Sequence, residues 1–256
     1  QAALTAASRG HAVTVLERLD VPGGQARVAA TVPSRAEFGD IVRNQVRECR
    51  RLGVEVRYGT TADAGSVGAL APDAVVVATG ARPLRPWWAP PDAATVVDVR
   101  DVLEGRASPA GTVVVVDELG FHQATSVAEW LADHGCAVTV ITPGMVVGQD
   151  LGITLDLEHW NTRAAAKGIT QLTDLVPMGW SPEGGVTALH HPTGQERQLP
   201  CDWVVLAVPQ EPNEELYFSL RATVGPAVEV HRVGDCVAPR RAHAAVIEGA
   251  RVGAAL

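Results

Sequence analysis

Residues 112–142 read "TVVVVDELGFHQATSVAEWLADHGCAVTVIT", and the fold is decided here. The stretch runs strand, tight turn, helix, strand, the layout whose first turn cradles a dinucleotide phosphate. Where such a turn carries its glycines, this one has Asp117-Glu118-Leu119-Gly120, and only Gly120 survives. A side chain at Asp117 or Glu118 blocks the close backbone approach that glycine allows. An acid about 4 Å from a phosphate charge also costs roughly 4 kcal/mol at an effective dielectric of about 20. The second strand ends in Thr142 and Pro143, with neither an acid for the ribose of NAD nor an arginine for the extra phosphate of NADP. The stretch therefore predicts a dinucleotide fold that binds nicotinamide dinucleotides poorly.

Working outward, the pattern recurs. "SRGHAVTVLER" (residues 8–18) and "DHGCAVTVITP" (residues 133–143) share helix–Gly–x–x–Val–Thr–Val. This predicts an α/β chain of two Rossmann-like, three-layer domains, the second inserted in the first. Residues 1–9 suit an Ala-rich helix closed by Gly10, and residues 11–18 a buried strand with Glu17 at its carboxyl end. Residues 21–27 read as a loop. Residues 34–53 carry Phe38, Ile41, Val42, Val46, Cys49 and Leu52 at helical spacing, with Ser34 and Glu37 as a capping box. Strands follow at 54–59 and 73–83.

Residues 85–110, rich in Pro, Ala and Asp, are expected to form a connector with one short helix near Val99–Leu103. Beyond the opening stretch, a helix at 158–168, one strand at 169–181 and a hairpin turning at Thr193-Gly194 complete the inserted domain, residues 111–222. The outer domain is expected from residues 1–84 plus 223–256, ending in a strand, a Gly-Asp turn and a last helix near Arg241.

Composition narrows the function. The chain has 256 residues, 46% hydrophobic, 20% charged and 4% aromatic, which fits a soluble globular protein rich in buried parallel strands. A net charge of −8, with no basic tract interleaved with aromatics, argues against a nucleic-acid partner. Anionic cofactors stay open, because backbone amides can hold them. Cys49, Cys136, Cys201 and Cys236 form no C-x-x-C pair, so free thiols in a reducing cytoplasm are expected rather than a redox dithiol, zinc site or cluster. His122, His190 and His191 are not expected to bind metal, and Glu129 and Trp130 read as packing and surface. No apolar run approaches the about 20 residues that span a bilayer. The start "QAALTAASRG" is not a signal peptide and reads as mid-helix, so Gln1 is expected to be a truncation point.

Four stretches in this order carry a resemblance. They are "GHAVTVLER" followed by "GGQ", "AVVVATGARP", the opening βαβ unit, and "VGDCVAPRRAHAAVIEGARVGAAL". Together they resemble the flavoprotein disulfide-reductase type of architecture. More narrowly, they resemble the C-terminal half of the trimethylamine dehydrogenase and 2,4-dienoyl-CoA reductase family of Old Yellow Enzyme-like NADH:flavin oxidoreductases. In that family a barrel carrying FMN and a 4Fe-4S cluster comes first, and a homo-oligomer is plausible.

The resemblance implies residue roles, each beside a plainer one. Glu17 matches the acid that accepts hydrogen bonds from the adenosine ribose, or it is a surface glutamate ending a strand. Arg18 lies along the adenine or is solvated. Gly23, Gly24 and Gln25 lie near the flavin-side phosphates or form only a loop. Ala78, Thr79 and Gly80 turn beside the ligand or make a structural corner. Gly234 allows close approach, and Asp235 bonds a ribityl or ribose hydroxyl or serves as a turn aspartate. Ala242 belongs to the helix start that aims free amides at the pyrophosphate; Arg240 and Arg241 beside it are contacts or merely exposed.

The family's Gly-x-Gly-x-x-Gly would end just before Gln1, so the first strand and phosphate loop are expected to be missing and the cofactor weakly held by this chain alone. The reading is the FAD- or ADP-binding portion of a flavin-dependent oxidoreductase whose N-terminal flavin barrel is its partner and carries the catalytic residues. The alternatives are an NAD(P)H-dependent FAD reductase of dienoyl-CoA reductase type and a non-catalytic docking module holding ADP.

Overall fold

The structure, a computed structural model, describes residues 1–256, the side chain of Pro33 excepted. In chain order the first elements are α1 (Ala2–Ser8), β1 (Thr14–Leu16), α2 (Gly24–Ala29), α3 (Phe38–Arg51), β2 (Glu55–Arg57), α4 (Ala64–Gly68), β3 (Ala74–Val77) and β4 (Ala81–Pro83). Next come β5 (Val96–Asp98), α5 (Val99–Leu103), β6 (Thr112–Asp117), α6 (His122–Asp133), β7 (Ala137–Ile141), α7 (Leu157–Ala166) and β8 (Thr170–Leu172). The chain closes with β9 (Leu175–Ser181), β10 (Gly185–His190), β11 (Gln195–Leu199), β12 (Trp203–Ala207), β13 (Gln210–Pro212), α8 (Glu215–Thr223), β14 (Glu229–Arg232) and α9 (Ala242–Ala255). Two compact units result: residues 1–30, 35–82 and 210–256 form the first, and 31–34 with 83–209 the second.

The second unit has three layers, and the period of two along its strands explains them. A parallel sheet runs β5-β12-β6-β7-β8. Val113, Val115, Val138, Val140, Val205 and Ala207 face one side, where they bury against Ala124, Val127, Ala128 and Leu131 of α6 and Trp160 and Ala164 of α7. Val114, Val116, Val204 and Leu206 face the other side, against Leu175, Val186 and Ala188 of the antiparallel sheet β11-β10-β9. Glu129 is buried on α6, where both its oxygens accept from Arg163 Nε at 3.0 and 3.1 Å.

Residues 85–110 do not form a connector but belong to this unit. β5 pairs in parallel with β12, and Trp88 and Ala89 are core residues. Arg85 explains how a proline-rich segment stays ordered: its guanidinium donates to the carbonyls of Ala89, Pro90, Ala93 and Val96. The single strand expected at 169–181 is two, split at Asp174, which takes a left-handed φ of +58°. There Leu175 N–H bonds the Thr142 carbonyl, and the chain leaves the parallel sheet for the antiparallel one.

The first unit contains two parallel pairs, β1–β2 and β3–β14, and a third pair, β4–β13. Val67, Val77, Leu220 and Cys236 form its core, with Leu16, Val75 and Val230 packed against them. Residues 210–222, expected in the inserted domain, lie here because β13 pairs with β4 and Leu220 of α8 is a core residue. The expected capping box at Ser34 is not formed. A 3₁₀ turn occupies Pro33–Arg35, and α3 starts at Phe38 without a side-chain cap. Among the described residues, no helix is long and apolar enough to cross a membrane.

Candidate functional site

In the first unit the chain turns from strand to loop at three carboxyl ends: Glu17 after β1, Ala78 after β3 and Val233 after β14. In a parallel α/β fold, ligands bind beyond these ends. Seven of the expected residues, Glu17, Arg18, Ala78, Thr79, Gly80, Gly234 and Asp235, sit on the segments leaving them, while Gly24 and Gln25 open α2 and Ala242 opens α9.

Glu17 is half-buried. Its Oε1 accepts the Leu19 N–H at 2.9 Å, so its loop already holds one oxygen in place. Arg18 beside it is exposed. Gly23 (φ +114°) is the N-cap of α2, so the expected loop at 21–27 becomes helical from Gly24 onward. Gln25 on its first turn donates to Gln210 Oε1 at 3.1 Å and to Asp235 Oδ2 at 3.5 Å. Gln25 and Asp235, 210 positions apart, thus meet. The Thr79 hydroxyl donates to the Asn213 carbonyl, and Asn213 N–H returns a bond to Gly80 O at 2.9 Å, which fixes the corner after β3.

The Gly-Asp turn is tightly determined. Gly234 is buried with φ +70°, and a Cβ there would lie 3.2 Å from the Ala245 Cβ. Its N–H donates to Glu248 Oε2 at 2.8 Å, and Asp235 Oδ1 accepts the Arg240 N–H at 3.1 Å. α9 follows from Arg241 with no side-chain cap, and its Ala244 N–H donates to the Arg241 carbonyl at 3.0 Å. Glu17 and Arg18 are not hydrogen-bonded to the Gln25–Asp235 group among the described residues.

Two contributors escaped the sequence reading. Nothing local marks Gln210, which reaches Gln25 only through the fold. Glu248 had a signal: Ala245 and Glu248 are one turn apart, so they share the helix face toward Gly234. The Gly234 amide and Arg240 hold the Glu248 carboxyl below the usual carboxylate range. A depressed folded value means this contact stabilises above the ordinary glutamate value of 4.5 and is lost as pH falls through the folded value. Glu248→Gln is therefore expected to flatten the acid limb of the stability–pH curve, read as urea midpoints. An unchanged acid limb would show the contact to be inert.

The second unit's turn is built differently. Asp117 is 0% exposed. Its Oδ1 accepts the Gly120 N–H at 2.8 Å, and its Oδ2 accepts the Gly148 N–H at 2.8 Å. Burial pushes its carboxyl above the ordinary carboxylate range, against the pull of the Gly148, Gly120 and Leu119 amides. Burial and the neighbouring Asp117 raise Glu118 likewise. His190 bonds the Thr193 hydroxyl at 2.7 Å and His191 the Pro143 carbonyl at 3.2 Å. Among the described residues no three His, Cys, Asp or Glu side chains gather to hold a metal.

The family model for pyridine nucleotide-disulphide oxidoreductases matches residues 1–249. The chain belongs to that family. Among curated members, it is 31% identical to an N,N-dimethylglycine/sarcosine dehydrogenase of Chromohalobacter salexigens, over 98% of this chain and 41% of that protein. It is also 31% identical to an NADH oxidase of Thermoanaerobacter brockii, over 93% of this chain and 37% of that protein. Among solved structures, a 2-naphthoyl-CoA reductase in complex with 2-naphthoyl-CoA superposes with a TM-score of 0.90 at 28% identity, covering 100% of this chain and 38% of that one. The chain thus spans about two fifths of the relatives it matches. As a pyridine nucleotide-disulphide oxidoreductase domain it has the Rossmann-type α/β fold, with the second unit inserted in the first.

Proposed function

We propose that this chain is the portion of a flavin-dependent oxidoreductase that holds FAD, or its truncated analogue ADP, through the first unit. The observation that carries the reading is the meeting of Gln25, Gln210 and Asp235 beside the start of α9. The uncapped amides at Ala242 supply donors and the positive end of a helix dipole for a pyrophosphate. Gly234 has no side chain to obstruct it, and Asp235 and Glu17 supply acceptors for ribityl or ribose hydroxyls. These residues fit the group in kind: the Ala242 amide is a donor suited to phosphate charge, and Asp235 and Glu17 are acceptors suited to hydroxyls. Gln25, tied to Asp235, orients the acid, and the Glu17–Leu19 bond does the same at β1.

When bound, a flavin supplies hydride acceptance and one-electron release; the residues of this chain bind and orient. Substrate oxidation is assigned to an N-terminal FMN and 4Fe-4S barrel of the same protein. The similarity to an NADH oxidase favours a second reading, an NAD(P)H-dependent FAD reductase. A non-catalytic docking module holding ADP is the third.

Denaturing the full-length protein and weighing the released ligands separates them. FAD, with no flavin bleaching by NADH or NADPH, supports the electron-transfer reading. Rapid bleaching by either nucleotide supports the reductase. ADP alone, in a colourless extract, supports the docking module. Release of no adenine nucleotide would overturn all three.

A further inference from the structure

We propose that Asp117 is the residue that keeps nicotinamide dinucleotides out of the second unit. Its carboxyl stands as an internal acceptor in the amide cradle before α6 and straps residues 143–156 across it. The inference rests on reading residues 83–209 as a dinucleotide-type fold and is independent of what the first unit holds.

Three observations converge. The first is the pattern of bonds. In a dinucleotide-binding turn, the amides between strand and helix point at phosphate oxygens. Here the Gly120 amide points at Asp117 Oδ1 at 2.8 Å, with the carboxylate at the end of β6 buried beneath it. The other oxygen takes the Gly148 amide, 31 positions along the chain. A local turn aspartate would satisfy only its own loop, whereas this one joins two loops. Both oxygens accept amide protons, so the carboxyl takes the acceptor role that phosphate oxygens would otherwise fill.

The second observation is where the strap lies. The Asp150 N–H donates to the Gly120 carbonyl at 2.8 Å. A Cβ at Gly120 would lie 3.7 Å from the Gln149 nitrogen and 3.8 Å from the Asp150 nitrogen. The backbone of 149–150 therefore fills the space over the glycine, where a pyrophosphate would need to pack.

The third is anchorage. Val147 is 1% and Leu151 0% exposed, and both belong to the core cluster of Ala124, Val127 and Ala128 on α6. Gly148 takes φ +67°, and a Cβ there would come within 2.9 Å of Leu151 Cδ1 and 3.0 Å of Thr125 Cγ2. The strap is seated on the first turns of α6 with no slack. A dinucleotide would have to expel Asp117 from two amides and lift Val147 and Leu151 out of the core together.

The test uses the full-length protein, with hydrogen exchange followed by mass spectrometry on peptides covering residues 143–156. The wild type is titrated with NADH and NADPH by nucleotide fluorescence, and Asp117→Asn is compared with it. Wild type is expected to show no saturable nucleotide signal and a protected strap that neither nucleotide alters. In Asp117→Asn, whose side-chain nitrogen cannot accept an amide proton, exchange of the strap rises at least about tenfold while peptides from β10 and β11 keep their rates. Saturable binding of either nucleotide to the wild type overturns the proposal, and so does wild-type strap exchange in Asp117→Asn. If the variant does not fold, the wild-type titration and exchange decide alone. FAD or ADP released from the first unit answers a separate question and is scored separately.

Discussion

Trp160→Ala will destabilise the second unit by about 3–5 kcal/mol, the range for deleting a fully buried tryptophan. The indole is 0% exposed in the cluster formed by α6, α7 and the parallel sheet. Its Nε1–H donates to Oε1 of Gln171 at 3.0 Å, on β8 at the edge of the sheet. Removing it opens a cavity that valines on rigid strands cannot fill, because their χ1 freedom is small. Trp160→Phe keeps most of the ring volume, and Gln171 is only partly buried, so water replaces the lost partner at about 1 kcal/mol for the bond itself. Urea unfolding of both variants, followed by far-UV dichroism, checks the pair. A loss below about 1 kcal/mol for Trp160→Ala would mean that α7 does not close this core.

Gly234→Val will cut nucleotide retention by about a hundredfold or more, equivalent to about 2.7 kcal/mol. Three effects combine. A β-branched residue at φ +70° is strained by roughly 1–3 kcal/mol. The Cβ, 3.2 Å from that of Ala245, pushes α9 away from the end of β14. The shift breaks the bond from the Gly234 amide to Glu248, so the start of α9 no longer points where Asp235 does. Gly234→Ala has the same strain without the branching and falls between. Ligand retained per protein chain after gel filtration of full-length variants is the measurement. Full retention in Gly234→Val would remove this turn from the binding site.

The second unit was largely legible because a parallel sheet writes itself as valine runs. Val113–Val116 alternate between two cores exactly as period two requires, though each run alone is equally consistent with one buried segment. The acid at Asp117 was visible as an obstacle to a phosphate. That it accepts the Gly148 amide was not, since nothing in sequence pairs positions 31 apart. Residues 85–110 look structureless by composition, and their order depends on one guanidinium reaching four carbonyls. α2 was hidden because Gly23 and Gly24 read as loop residues, while in space Gly23 is a cap. In the candidate site, the strand-end residues were legible by position. Gln210 was not, because its place is set by the pairing of β13 with β4.

The strand pairs of the first unit have a practical consequence. Each of β1 and β3 is hydrogen-bonded along a single side, to β2 and to β14. Their other sides offer rows of peptide groups that can dock a foreign strand. Open rows of this kind favour edge-to-edge stacking of copies, so turbidity and protein concentration will need watching before any affinity is measured.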